Sequence, residues 1–328
     1  MAVSTKDELL KLFESNKGEW FSGGEIGERL DISRTAIWKA VESLRADGYA
    51  IEAVKSKGYC LSPDTDIVSS QGVAKYLKKD LDVKVFEEVV STNTLLKELA
   101  SGGAGEGCVV IANSQTGGKG RMGRKFFSPS NSGVYISVLL RPNEMAPEKA
   151  LKITTMAAVA AASVIEEVTG KEAKIKWVND IFVDGKKAVG ILTEASMSME
   201  SGNLEYAVLG IGFNVYLPEG GFPEELSDIA GALLDAKMPD AKNRIAAGFL
   251  NHFFEIYDDP EHLHYETCYK EKSLVLGKEV DVISALGERR ALVLDITDDY
   301  NLVVRYDDGT EGILSSGEVR IRPLRGTK

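Results

Sequence analysis

Residues 117–127, Gly117-Gly118-Lys119-Gly120-Arg121-Met122-Gly123-Arg124-Lys125-Phe126-Phe127, contain a formal G-x-G-x-x-G directly after the strand-like run GCVVIANSQ (107–115). A dinucleotide-binding fold requires a helix to open on those glycines. Here the chain continues through Ser128-Pro129-Ser130-Asn131-Ser132-Gly133 into another strand-like run, GVYISVLL (133–140), so that fold is excluded. A Walker A loop is excluded too, because no Gly-Lys-Ser/Thr follows. What remains is a loop between strands in which glycines alternate with Lys119, Arg121, Arg124 and Lys125. Glycine lets backbone N–H groups approach an anion, and the cations neutralise phosphate or carboxylate.

Outward from this loop, helical and strand patterns mix. VKVFEEVV (83–90) reads as a strand and STNTLLKELA (91–100) as a helix capped by Ser91. Residues 149–170 form a long buried helix ended by Gly170. AKIKWVNDIFVDGKKAVGILTEAS (173–196) reads as two strands joined at Asp184-Gly185, and LEYAVLGIGFNV (204–215) as one more. Alternation along the first of these puts Lys176, Val178 and Asp180 on one side, Trp177 and Asn179 on the other. A lysine there either snorkels to the rim or reaches a ligand. Hairpins outnumber βαβ units, which predicts a mixed sheet with helices on one face, an α+β domain.

Two smaller modules flank it. Leu9, Leu10, Leu12 and Phe13 share one helical face; Ile26 and Leu30 mark a second helix; Ile37, Val41 and Leu44 stripe a third, with Ser33 as its N-cap. The segment YAIEAVKSKGYCLS (49–62) then alternates like a hairpin. Helix, helix, helix, hairpin is the order of a winged helix-turn-helix. Residues 1–63 carry 9 basic and 10 acidic side chains, so the module is not basic as a whole, but Ser33–Arg45 holds three cations against one acid. Ser33, Arg34, Thr35, Trp38 and Lys39, with Lys55 and Lys57 on the wing, are the candidate DNA contacts, since phosphate contacts need only a few aimed cations. A helical bundle for protein contact is the plainer alternative. After a linker at Pro63–Asp66 and the central region, short alternating strands from 271 onward predict a small SH3-like β-barrel. The expected domains are therefore 1–63, 64–270 and 271–328. Glu261, His262, His264 and Glu266 lack a spaced partner and read as a surface helix end, so no protein metal site is expected.

Composition limits the function classes. A net charge of −11 argues against general coating of nucleic acid or anionic membrane. The longest apolar run, Met156–Ile165, is too short to span a bilayer. Three distant cysteines, Cys60, Cys108 and Cys268, read as reduced thiols, and the N-terminus lacks an apolar signal core; both point to the cytoplasm.

Taken together, SRTAIWKAVESLR (33–45), SKGYCLS (56–62), Ser91-Thr92-Asn93, QTGGKGRMGRKF (115–126), KWVND (176–180), AVGILTE (188–194) and GIGFNV (210–215) resemble the bifunctional biotin protein ligase/biotin operon repressors, along the whole chain. The resemblance implies a biotin/lipoate ligase-like catalytic domain and two reactions. Biotin and ATP, with Mg²⁺, give biotinyl-5′-adenylate; a lysine of a biotin carboxyl carrier protein then takes the biotinyl group. It also implies operator DNA as a partner and a homodimer when the adenylate is bound. Biotin contacts would fall on Ser91, Thr92, Asn93, Gln115, Lys119, Gly120, Arg121 and Lys176. ATP or adenylate contacts would fall on Gly118, Arg121, Arg124, Phe126, Asn179 and Asn214, with Glu318 and Arg322 from the last module. Lys176 and Arg121 would be catalytic. Lys119 stands where arginine is common in the family, Val178 where proline is, and Phe126 where tryptophan is; lysine acts only as a point charge, while phenylalanine keeps a stacking face.

The residue types suit that chemistry. A carboxylate is already an anion, so its attack on phosphorus needs no Ser/His/Asp triad, only cations to bring two anions together. A ligand-sensing repressor without ligase activity would need a pocket but no row of phosphate-neutralising cations. A lipoate-type ligase shares the chemistry, and the Gly/Arg loop with KWVND favours biotin over it.

Overall fold

The computed structural model describes residues 4–142, 145–197, 202–260, 264–284, 287–315 and 317–321. Its first module is built on local signals. Helix α1 (Thr5–Ser15) starts at Ser4, whose hydroxyl accepts from the Asp7 amide, and α2 (Gly23–Leu30) starts on a reciprocal Ser22/Glu25 capping box. Asp31, left-handed at φ 53°, ends α2, and Ser33 caps α3 (Arg34–Ala46). Strands β1 (Ile51–Val54) and β2 (Gly58–Leu61) pair antiparallel as the wing. Gly58 is required where they meet α2: a β-carbon there would lie 2.0 Å from the Phe21 carbonyl oxygen. Leu9, Phe13, Ile26, Ile37, Val41, Leu44 and Leu61 are fully buried together.

The central region follows with α4 (Ser70–Ala74), β3 (Asp82–Val89), α5 (Thr92–Ser101), β4 (Cys108–Gln115), β5 (Gly133–Leu140), α6 (Ala150–Thr169), β6 (Ala173–Lys176), β7 (Asp180–Val183), β8 (Lys186–Met197), β9 (Leu204–Asn214), α7 (Glu224–Ser227), α8 (Ala241–Asp258) and α9 (Tyr265–Glu271). The seven strands form one mixed sheet in the order β3-β4-β5-β9-β8-β7-β6, with only β3 and β4 parallel. Asp184 and Gly185, at φ 52° and 77°, make the expected β7–β8 turn. Alternation sorts the strands onto two faces. Val109, Ile111, Val138, Leu209 and Ile211 pack with α6 and α8, whereas Val110, Leu139 and Val208 pack with Leu96 and Ala100 of α5. Helices therefore cover both faces, not one. The reason is that β4, β5 and β9 are buried at every position along their middle, and a strand buried on both sides needs cover on both.

Residues 173–183 also differ from expectation. They are not one strand: β6 and β7 pair antiparallel, with Lys176 opposite Asp180, around a turn at residues 177–179. Trp177 and Val178 mimic strand content because this turn is buried. Its polar groups are satisfied from other elements, the Trp177 indole donating to the Tyr300 carbonyl (2.8 Å) and the Tyr269 hydroxyl to the Val178 carbonyl (3.2 Å).

The last module has five antiparallel strands, β10 (Glu279–Ser284), β11 (Gly287–Ile296), β12 (Leu302–Tyr306), β13 (Glu311–Leu314) and β14 (Glu318–Ile321), in the order β13-β12-β11-β10-β14. Among the described residues β13 and β14 do not pair, so the expected closed SH3-like barrel is not present; the module is an open sheet. Alternation along a strand reports a buried face, not whether the two end strands join. Here Val280, Val282, Val293, Val304 and Val319 are covered by joining the central core, beside Trp177, Tyr265, Tyr269 and Tyr300.

Candidate active site

The site lies on the α5 face of the sheet, past the start of that helix. Its floor is made of glycines, Gly210 and Gly212 on β9 and Gly190 opposite Gly212 on β8. A β-carbon on Gly210 would sit 2.1 Å from Asn93 Oδ1, and one on Gly212 would sit 2.3 Å from the Phe126 ring. The missing side chains let a polar amide and an aromatic ring lie directly on the strands.

Over this floor the start of α5 carries a polar cluster. Ser91 occupies the N-cap position but makes no capping bond with its side chain. Gln115 caps instead: its Oε1 accepts from the Thr92 amide (2.9 Å) and the Thr92 hydroxyl (3.2 Å), while Nε2 donates to Ser128 Oγ (2.9 Å). The Ser137 hydroxyl donates to Asn93 Oδ1 (2.6 Å), and Asn93 Nδ2 donates to Glu194 (2.8 Å). Burial alone would raise the Glu194 carboxyl, but the ion pair with Lys97 and the Asn93 bond more than offset it and hold it low. Thr92, Asn93, Gln115, Ser137 and Glu194, wholly or partly buried by the fold, thus each have a partner.

The Gly/Arg loop folds back on itself. The Gly120 amide donates to the Arg124 carbonyl (2.7 Å), the Phe126 amide donates to the Gly118 carbonyl (2.9 Å), and residues 121–123 form a single 3₁₀ turn. Arg121 reaches across to Asn179 Oδ1 (2.9 Å), and Arg124 forms a two-bond ion pair with Glu318 of β14. That pair holds the Glu318 carboxyl below the usual range. Lys176 is half-buried with its ammonium 5.9 Å from the Phe182 ring centre. Burial lowers its pKa, against the opposing pull of Asp180 and Glu318. Asp180 is itself paired with Lys187 at 2.6 Å.

Two cavities result. The smaller, about 50 Å³, is lined by Ser91, Thr92, Asn93, Gln115, Lys119 and the glycine floor, with Ile191, Leu192 and Ile211. The larger, about 450 Å³, is lined by Lys176, Arg124, Asn214, Phe222 and Glu318, among others. Gly120, Arg121, Phe126, Asn179 and Lys187 line both. All the expected site residues but two therefore gather here. Gly118 is buried under the Phe126 carbonyl and lines neither cavity, and Arg322 lies outside the described residues. The sequence reading missed Ser128, Ser137, Lys187, Glu194 and the three floor glycines. The paired glycines in Gly210-Ile211-Gly212 were the available signal, since glycine within an apolar strand marks close approach of another group.

Elsewhere, Arg34, Thr35, Trp38 and Lys39 are exposed along α3, Ser33 caps it, and Lys55 and Lys57 stand on the wing tip. Lys57 also lies over the Trp20 ring, 5.4 Å from its centre. His262 lies outside the described residues; His252 pairs with Glu167, and among the described residues no three His, Cys, Asp or Glu side chains gather as a metal site. Nor is any described helix long and apolar enough to cross a membrane.

Comparison with known proteins follows the same division. Residues 85–214 match the model of the biotin/lipoate A/B protein ligase family, and residues 5–60 match a helix-turn-helix domain. The bifunctional ligase/repressor BirA of Bacillus subtilis is 34% identical over 96% of this chain and 98% of its own length. The biotin–[acetyl-CoA-carboxylase] ligase of Mycobacterium tuberculosis is 30% identical over 72% of this chain and 87% of its own. The solved Aquifex aeolicus biotin protein ligase in complex with biotin and ATP superposes with a TM-score of 0.60 at 25% identity, over 74% of this chain and 99% of that one.

Proposed function

The chain belongs to the family of BirA-type bifunctional biotin protein ligase/repressors, and on that footing we propose that it makes biotinyl-5′-adenylate from biotin and ATP, transfers the biotinyl group to a carrier-protein lysine, and represses an operator. The observation that carries the reading is the pair of cavities sharing Arg121, Phe126 and Asn179. One is small and glycine-floored, lined by neutral hydrogen-bonding groups together with Lys119, Arg121 and Lys187; the other is larger, with cations outnumbering carboxylates. A small acid and a nucleotide placed in them would meet at Arg121.

In the first step a carboxylate oxygen attacks the α-phosphorus and pyrophosphate leaves. Thr92, Asn93 and Gln115, with Ser91 beside them, would hold the neutral end of biotin. Lys119 and Gly120 would face its acidic arm. Lys176 and Arg121 would stabilise the charge gathering between carboxylate and phosphate, where fixed cations in a partly dry site act most strongly. Arg124, Phe126, Asn179, Asn214 and Glu318 would line the nucleotide, with Gly118 letting the loop fold tightly beneath it. Mg²⁺ would neutralise phosphate charge; among the described residues no three metal-ligating side chains gather, which suits a metal carried on the triphosphate. In the second step a lysine amine of a biotin carboxyl carrier protein attacks the acyl carbon, AMP leaves, and the amine proton passes to solvent.

Repression would use α3 in a major groove with the wing beside it, as a two-fold dimer on a palindrome with the adenylate as corepressor. Incubation with labelled biotin, MgATP and a carrier domain tests the ligase: label is expected on the carrier, and its absence together with no biotin-dependent pyrophosphate exchange overturns the reading. Sedimentation and a DNA shift titration with and without biotin and ATP test the repressor. A ligand-independent oligomeric state with unchanged DNA affinity overturns that half.

A further inference from the structure

The seam between the first module and the central region holds a cluster of buried charges, Glu14, Lys17 and Asp240. Lys17, just past α1, has its side chain only 7% exposed, and its ammonium meets three acceptors: Asp240 Oδ1 (2.7 Å), Glu14 Oε2 (3.0 Å) and the Thr65 carbonyl (3.0 Å). Asp240 stands immediately before α8 with a left-handed backbone, φ 60°. Besides Lys17 it accepts from Asn243 (2.8 Å), the Tyr76 hydroxyl (2.6 Å) and Lys75 (3.3 Å). Burial raises the Asp240 carboxyl, yet the bonds from Lys17, Tyr76 and Asn243 more than offset this and leave it low. Glu14 is fully buried and has its pKa raised by burial; apart from the Lys17 charge neither carboxylate oxygen has an aligned donor. The linker is tied into the same cluster, Asp66 accepting from the Lys242 amide (2.8 Å) and the Tyr216 hydroxyl (2.6 Å).

We infer that Lys17 and Asp240 are positioning residues for operator recognition: a buried ionic pin that fixes the direction of α3 relative to the body that dimerises. The inference rests on the repressor reading. A buried ion pair is a poor device for stability alone, because apolar side chains of similar size hold an interface as well or better. What it adds is direction. Apolar surfaces slide past one another at little cost, whereas an ammonium hydrogen-bonded to two acceptors and ion-paired with a third group has one acceptable position. A dimer that reads two half-sites needs that property, since both recognition helices must stand one helical turn apart at the same time. A first module swinging on a loose tether would forfeit much of the advantage of the second contact.

The test uses the full chain with Lys17→Met and Asp240→Asn, in parallel on operator and on geometry. Both variants keep wild-type pyrophosphate exchange, which verifies folding of the catalytic region. On the operator, wild type with biotin and ATP strongly prefers the natural half-site separation. The variants bind it about tenfold more weakly and lose most of the preference when the separation is lengthened by a base pair. For geometry, spin labels at Glu28→Cys and Glu255→Cys, in a Cys268→Ser background, report the distance between the two parts. A narrow distribution is expected for wild type and a broad one for the variants. An unchanged narrow distribution overturns the pin. A broadened distribution with intact spacing preference overturns its role in recognition. A wild type that ignores the operator under all conditions overturns the repressor reading and this use of the pin with it.

Discussion

Lys176 shows how much one position carries. It is a half-buried cation on the wall of the larger cavity, so Lys176→Ala should slow adenylate formation ~10²–10³-fold, about 2.7–4 kcal/mol by analogy with a lost oxyanion donor, without unfolding the chain. Pyrophosphate exchange at the wild-type rate would remove Lys176 from the site. Its pKa direction gives a second outcome. Burial lowers it, so the ammonium discharges at a lower pH than an ordinary lysine, and kcat/KM should fall on the alkaline side along with it. Lys176→Arg keeps the charge and should move that alkaline limb upward; a limb at the same pH in the variant would assign it to another group. The identity of Lys176 and its nearness to Asp180 were readable from KWVND, but the rest of its surroundings was not. Glu318 comes from a strand far along the chain, and no spacing rule connects the two.

At the scale of elements, the Gly/Arg loop and the glycine floor make opposite demands. The loop is rich in glycine so that it can move, and Arg121 ties it down through Asn179. Arg121→Ala should therefore release biotinyl-adenylate faster than wild type, with stray labelling of nearby lysines, more than it slows synthesis. Release as slow as wild type would refute a lid. The floor glycines instead keep space open. Gly210→Ala places a methyl group 2.1 Å from Asn93 Oδ1, and the KM for biotin should rise at least tenfold while that for ATP holds, measured by exchange. Caps and turns such as Ser33 and Asp184-Gly185 were legible because each is decided within four residues. The Trp177–Asn179 turn was not, because its polar groups are satisfied by Tyr269 and Tyr300.

At the scale of the whole molecule, acidity and DNA binding have to coexist. With a net charge of −11, attraction to DNA must come from a few aimed cations. Replacing Arg34 and Lys39 by alanine should weaken operator binding and flatten its log–log salt dependence by about 0.9 per lost phosphate contact, leaving biotin transfer unchanged. An unaltered salt slope would take α3 off the DNA. By itself the sequence determined the helix-helix-helix-hairpin order, the mixed central sheet and the loop, which follow from period, caps and glycine placement acting over one or two turns of chain. Most of the polar residues that line the two cavities were legible only through the family resemblance of the motifs that hold them. Tertiary structure alone decided that helices cover both sheet faces, that the last five strands stay open against the central core, and that Lys17 meets Asp240. Each of those depends on which surfaces are left to bury once the elements exist, and partners more than two hundred residues apart leave no local trace of one another.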